Sequence, residues 1–347
     1  MTISKTKNSR FRVRVKKGGI VVADRTFDTL REARAWEATM KALVGGGFDP
    51  RLGKSTTVET AADVWLKHRE GQIAETTHGT DTRNIKALPV AIKRRPVGTI
   101  STTEMQNYIA GLKVSAGTKT RVKITLSAFF TWSVAEGFRR DNPVKEVKLA
   151  GGPAEALRPV LWNQAESMAA QVSSSAYRRL MRVLAYTALR WGEGRAIRVK
   201  HVHIRPDGLR LHVQRSHPDE YSEKDVKDHE ARFIPVLDTI TDDVQQAMRG
   251  KGPDDYLFTT DNGAQVHNRN FRRDAWSKVA GGYKIKELRH GCITEWVANG
   301  VDLATVQQWA GHESLSTTQG YVHIAGIADQ TAVSRLNKIT SATKMAD

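Results

Sequence analysis

Residues 286–291 read KELRHG, residues 311–314 GHES and residues 317–321 TTQGY. Arg289, His290 and His312 thus precede Tyr321, and the chemistry of that tyrosine decides how the chain is read. A free phenol has a pKa of about 10, so only about one in a thousand is ionised at neutral pH. It becomes a useful nucleophile only beside cations or a base. A phosphodiester under attack already carries charge and gains more in its five-coordinate transition state, so fixed donors aimed at the non-bridging oxygens supply most of the acceleration. Arginine and histidine are suitable donors, and the arrangement suits covalent attack on a DNA phosphate.

Upstream, residues 179–193 read RLMRVLAYTALRWGE. The stretch predicts a helix apolar through Leu180, Val183, Leu184 and Leu189 that presents Arg190 where Gly192 interrupts it. Glu193, three residues on, would orient that guanidinium. Standing alone, Arg190 would read as a surface arginine at a helix end; its weight comes from the set it belongs to.

The whole chain is compatible with that chemistry. Lysine and arginine number 54 against 37 acidic residues, a formal charge of +17 with a pI near 10.0. A field of that sign implies a polyanionic partner, nucleic acid before a membrane surface. No apolar run approaches the roughly 20 residues that span a bilayer, and the start MTISKTKNSR lacks a signal-peptide core, so a cytoplasmic protein with no membrane partner is expected. The single cysteine, Cys292, excludes an intramolecular disulfide and a thiolate zinc cluster. It reads as a small buried residue. His201, His203 and His212 fall around a strand pair without a carboxylate at ligand spacing, so no metal is expected. No phosphate loop or dinucleotide fingerprint is present, so no nucleotide cofactor is expected either.

The fold class read from the pattern is multidomain, mainly α with small β-sheets. In RFRVRVK (10–16), Phe11, Val13 and Val15 share one face while Arg10, Arg12, Arg14 and Lys16 share the other, which predicts a half-buried strand with a cationic outer face. A turn at 17–19, a returning strand in IVVADRTF and a helix capped by Thr29 and Glu32 complete a domain over 1–48. FDPRLGKSTT (48–57) reads as a linker. A four-helix domain is expected over 56–148, its helices opened by Thr56 with Glu59 and by Ser101 with Glu104, and running through TDTRNIKALPV and from about Thr118 to Glu136. The last of these carries Lys119, Arg121 and Lys123 at its start, where cations oppose the helix dipole; that favours a phosphate-facing role. After a second linker, KLAGGPAEALRP, a mixed α+β domain over 158–347 opens with helices, passes through short strands from about Val199 to Pro235 and returns to helices. An apolar-faced helix is expected from about Ile327 to Lys344.

TALRWGE, KELRHG, GHES and a tyrosine nine residues after the histidine of GHES, in that order, resemble the tyrosine recombinase family, specifically the phage-type integrases. The resemblance covers nearly the whole chain, including EGFRRDNPV (136–144) at the end of the helical domain. It implies an arm-binding domain, a core-binding domain and a catalytic domain. Carried over residue by residue, it makes Arg190 and Arg289 clamps on the scissile phosphate, His312 a further donor and Tyr321 the nucleophile. The family's hairpin lysine, eight residues before the proline of a VP or IP pair, falls on Lys227, counted from Ile234-Pro235; Lys224 competes for that role. Where the family most often has histidine three residues before the second arginine, this chain has Lys286, a poor proton acceptor unless its pKa is depressed. The group that takes the tyrosine proton is therefore open, with His290 a participant or a structural residue.

The resemblance further implies two transesterifications through a 3′-phosphotyrosine, with no cofactor, and a homo-tetramer on double-stranded DNA with core and arm attachment sites. It points to integration and excision of a phage or related mobile element, with a directionality factor or DNA-bending protein as a further partner. Two rivals are a catalytically idle DNA-binding architectural protein and a type IB topoisomerase-like enzyme. The full catalytic set weighs against the first and the extra N-terminal domain against the second.

Overall fold

Val13 and Val15 point inward from β2 (Phe11–Lys17) while Arg14 and Lys16 point out, as their alternation predicts. In this computed structural model, which describes residues 2–151, 157–226 and 231–324, β2 is the centre of a three-stranded antiparallel sheet between β1 (Thr2–Lys5) and β3 (Ile20–Phe27). Helix α1 (Leu30–Gly45) packs Ala33, Met40 and Val44 behind it and starts in the expected Thr29–Glu32 capping box.

The stretch read as a linker contains a short helix, α2 (Pro50–Ser55). The Asp49 side chain caps it by accepting from Arg51 N, and proline suits a first turn whose N–H groups have no intrahelical partner. Helices α3 (Val58–Arg69), α4 (Glu75–Lys86), α5 (Val90–Lys93), α6 (Thr102–Gly111) and α7 (Ala116–Ala135) follow. Thr57 caps α3 by accepting from Thr60 N, one residue later than expected; Ser101 and Glu104 form the expected box on α6. Trp65, Met105, Ile109, Leu126, Phe129 and Phe130 fill this second core. The chain divides into two compact units, Met1–Ala154 and Glu155–Asp347, so sheet and helical bundle belong to one unit with two cores.

The second unit is built on α9 (Ser175–Thr187), whose Leu180, Met181, Val183 and Leu184 pack among α8 (Trp162–Ala170), α11 (Asp238–Met248) and α14 (Lys286–Ala298). The helix stops earlier than the sequence suggests. Ala188 takes a left-handed conformation at φ 50°, and Arg190 becomes the N-cap of a new helix, α10 (Trp191–Ala196). A left-handed non-glycine residue costs roughly 1–2 kcal/mol, and burying one leucine returns roughly 1.5–3 kcal/mol. The α9 core can therefore hold the break.

Strands β4 (Val202–Arg205), β5 (Gly208–Val213) and β8 (Arg232–Pro235) form an antiparallel sheet in the order β4–β5–β8, and β6 (Arg215–Ser216) pairs with β7 (Lys224–Asp225) in a small ribbon. Short helices α12 (Asn268–Phe271) and α13 (Ser277–Val279) flank a π turn over Arg272–Trp276. They lead to α14, then α15 (Leu303–Ala310) and α16 (Leu315–Ile324). Gly291 of KELRHG lies so close to the chain at 160–161 that a Cβ there would sit 1.7 Å from Val160 O. That glycine lets α14 approach. The predicted helix over 327–344 lies outside the described residues. Among the described residues no helix is long and apolar enough to cross a membrane.

Candidate active site

The break at Ala188 and the end of α15 bring the two motif arginines together. Arg190 donates from Nη1 to Glu193 Oε1 at 2.8 Å and from Nη2 to Gly311 O at 2.7 Å, and its backbone N–H reaches Glu193 Oε2 at 2.8 Å. Glu193 thus orients Arg190, as expected. Arg289, on α14, donates from Nη1 to Ala188 O and from Nη2 to Ala310 O at 2.7 Å. Each guanidinium has five N–H donors, and two of them are taken here by described residues.

Arg190, Arg289 and Lys286 line one cavity of about 360 Å³, closed on its apolar side by Leu184, Leu189 and Trp191. The structure therefore brings Lys286 beside both arginines. Lys286 is exposed at the first turn of α14, where a cation is unfavourable to the helix and favourable to a bound anion.

Tyr321, on α16, is 4% exposed. Its hydroxyl lies 2.6 Å from His290 Nδ1, and its ring stacks on His312 at 6.0 Å between centroids with 16° between planes. His312 follows the left-handed Gly311 directly, and its Nδ1 pairs with the hydroxyl of buried Thr318 at 2.9 Å, leaving Nε2 for another partner.

The electrostatics follow from burial and from three close guanidiniums. Burial alone would raise the Glu193 carboxyl, but Arg232, then Arg190 and Arg289, outweigh it and hold the group below the usual carboxylate range. Burial and Arg190 bring the Arg289 guanidinium down to about 10, so it stays cationic at neutral pH. Burial, then Arg289 and Arg190, lower His312 to about 4, which leaves it a neutral imidazole. Burial, then Lys286 and Arg289, also lower His290. Burial raises the Tyr321 phenol while Arg289 partly opposes this. Three guanidiniums around one carboxylate leave positive charge that suits an anion.

Arg232 was not anticipated. It is 6% exposed and pairs with Glu193 at 2.7 Å. Its signal in the sequence was parity: in β8, Arg232 and Ile234 share the buried face while Phe233 points out. Thr318, the partner of His312, was also missed.

Lys227 lies outside the described residues. Lys224 is exposed on β7, opposite Ser216. On the N-terminal sheet, Arg12 and Arg14 both pair with Asp24, at 2.6 and 3.4 Å, and Arg10 pairs with Asp28 at 2.7 Å, so acidic neighbours offset part of the cationic face; Lys16 is exposed. On α7, Lys119 Nζ donates to Ala110 O and Lys123 Nζ to Val147 O, each at 2.6 Å, whereas Arg121 is exposed. Cys292 is fully buried, and burial raises its thiol.

Solved structures place the fold among DNA integrases. The Tn1549 transposon integrase in complex with circular intermediate DNA has a TM-score of 0.66 at 17% identity, over 82% of this chain and 100% of that one. Lambda integrase, in a tetramer bound to a Holliday junction, has a TM-score of 0.62 at 18% identity, over 94% of this chain and 96% of that one. Residues 160–326, the stretch that carries Arg190, Arg289, His312 and Tyr321, match the model of the phage integrase family. The tyrosine recombinase XerC of Staphylococcus haemolyticus is 32% identical over 109 residues, 28% of this chain and 37% of the relative. XerC of Chlamydia pneumoniae is 23% identical over 265 residues, 71% of this chain and 78% of the relative. The chain spans little more than a third of the staphylococcal relative and 34% of the Corynebacterium efficiens one.

Proposed function

We propose that this chain is a site-specific DNA recombinase that cleaves and rejoins strands through a 3′-phosphotyrosine at Tyr321, integrating and excising a mobile element. The observation that carries this reading is the convergence of Arg190, Arg289, His312 and Tyr321 on the turn that ends α15. Arg190 and Arg289 hold the non-bridging oxygens and His312 donates from Nε2. Tyr321 Oη attacks phosphorus as the 5′ oxygen leaves, and the 5′ hydroxyl of a partner strand then reverses the step. Double-stranded DNA is the substrate, and a tetramer on DNA, the state in which lambda integrase was solved on a Holliday junction, is the working assembly. The N-terminal unit supplies arm and core contacts, with Arg10, Arg12, Arg14, Lys16, Lys119, Arg121 and Lys123 as the candidates. On this reading the residues divide into an arm-binding domain over 1–48, a core-binding domain over 56–148 and a catalytic domain over 158–347. Covalent capture on a nicked core-site duplex is the test; DNA binding without any adduct would favour an idle architectural protein instead.

His290 is the group positioned to take the phenolic proton, and Lys286 supplies charge. An acceptor must be neutral, and His290 is lowered from its ordinary range, so single-turnover cleavage is expected to rise with pH and level off below about 6.5. His290→Gln should lose that limb. Lys286→Ala should keep it while slowing cleavage at every pH. A limb that persists in His290→Gln, or disappears with Lys286, would move the proton to another group.

Lys227 is proposed to protonate the leaving 5′ oxygen. Cleavage by Lys227→Ala should be restored by a substrate whose bridging 5′ oxygen is sulfur, since a thiolate departs without a proton. Restoration of Lys224→Ala instead would transfer the role to Lys224.

A further inference from the structure

Three consecutive carbonyls end α15, and three different arginines take them. Gln307 O and Gln308 O are satisfied within the cap, by Gly311 N at 2.8 and 3.2 Å and, for Gln307 O, by His312 N at 3.1 Å. Trp309 O, Ala310 O and Gly311 O are left over, as helix ends leave carbonyls over. Arg232 Nε donates to Trp309 O at 2.8 Å, Arg289 to Ala310 O at 2.7 Å and Arg190 to Gly311 O at 2.7 Å.

Arg232 differs from the other two. It does not line the cavity that Arg190 and Arg289 share. Its Nη1 and Nη2 instead donate to the two oxygens of Glu193, at 3.2 and 2.7 Å, the same carboxylate that holds Arg190. A Cβ at Gly311 would lie 3.0 Å from the Arg232 guanidinium, so the left-handed cap and this side chain are fitted to each other. Glu193, one support of Arg190, is therefore itself held by Arg232, and Arg232 also holds Trp309 O in the turn that carries the Gly311 and Ala310 carbonyls on which Arg190 and Arg289 rest.

We infer that Arg232 is a positioning residue, the buried strut that fixes the end of α15 and Glu193 so that the two clamps and His312 meet the scissile phosphate in register. The inference rests on the reading of Arg190 and Arg289 as phosphate clamps. A side chain acting this way never touches DNA, and its loss should be felt only where the clamps are needed. Lysine keeps the charge but has one nitrogen, which cannot span Glu193 and Trp309 O as the guanidinium fork does.

The test compares full-length wild type, Arg232→Lys and Arg190→Ala in single-turnover cleavage of nicked core-site duplexes. One duplex carries the ordinary scissile phosphate; the other carries a methylphosphonate, whose missing charge removes the demand on the clamps. Arg232→Lys is expected to bind DNA as wild type does and to cleave the phosphodiester at least about tenfold more slowly, within the loss that misplacement on the order of 1 Å can cause. On the methylphosphonate it should keep pace with wild type. Equal slowing on both substrates, or no slowing on the phosphodiester, would overturn the inference. If Arg232→Lys does not accumulate folded, Gly311→Ala asks the same question by pressing a methyl group on Arg232 with every charge kept, and it should give the same substrate-dependent loss. Arg190→Ala is the control: unimpaired cleavage by that variant would instead contradict the clamp reading.

Discussion

Tyr321→Phe is expected to bind core-site DNA as wild type does and to form no covalent complex. The substitution removes one hydroxyl and keeps the buried ring that stacks on His312 and lies against His290. Its structural cost is one hydrogen bond to His290, about 0.5–1.5 kcal/mol. Its chemical cost is the whole reaction, because no atom remains to form the phosphodiester with DNA. Cleavage by the variant on a nicked duplex, read as a protein–DNA species that survives denaturation, would show that another group attacks.

Arg289→Ala is expected to lower the single-turnover cleavage rate by about 10²–10³, the scale of losing one preorganised oxyanion donor, or about 2.7–4 kcal/mol. The substitution also strips Ala188 O and Ala310 O of their donor, so part of the damage falls on the turn itself. Thermal unfolding and DNA affinity measured beside the rate separate the two. A rate within about tenfold of wild type at saturating DNA would mean that Arg289 is not a clamp.

Much of the candidate site was legible because its proposed chemistry is carried by residue types and their order. Arg190, Arg289, His312 and Tyr321 need only be identified, and the structure gathers them around one turn. The capping boxes at Thr29 and Ser101 were legible for the same reason, being local hydrogen-bond patterns within four consecutive residues. What stayed hidden depends on distant contacts. The stop after Thr187 is imposed by packing, since Ala188 has no local preference for a left-handed conformation. Arg232 looked like one more cation in a basic chain until Glu193 and Trp309 O were seen around it. The pairing of Arg12 and Arg14 with Asp24 depends on β2–β3 register, in which Arg14 lies opposite Asp24. Helix α2 reads as a linker because the stretch follows Gly45-Gly46-Gly47 and itself carries Pro50 and Gly53, although Asp49 followed by proline is itself a helix start.

Mass-spectrometric mapping of the DNA-linked peptide, from wild-type protein trapped on a nicked core-site duplex, tests the central claim most directly. The proposed mechanism predicts a nucleotide 3′-phosphate on the hydroxyl of Tyr321 and on no other residue. An adduct at a different side chain, or none while the duplex is fully bound, would contradict it.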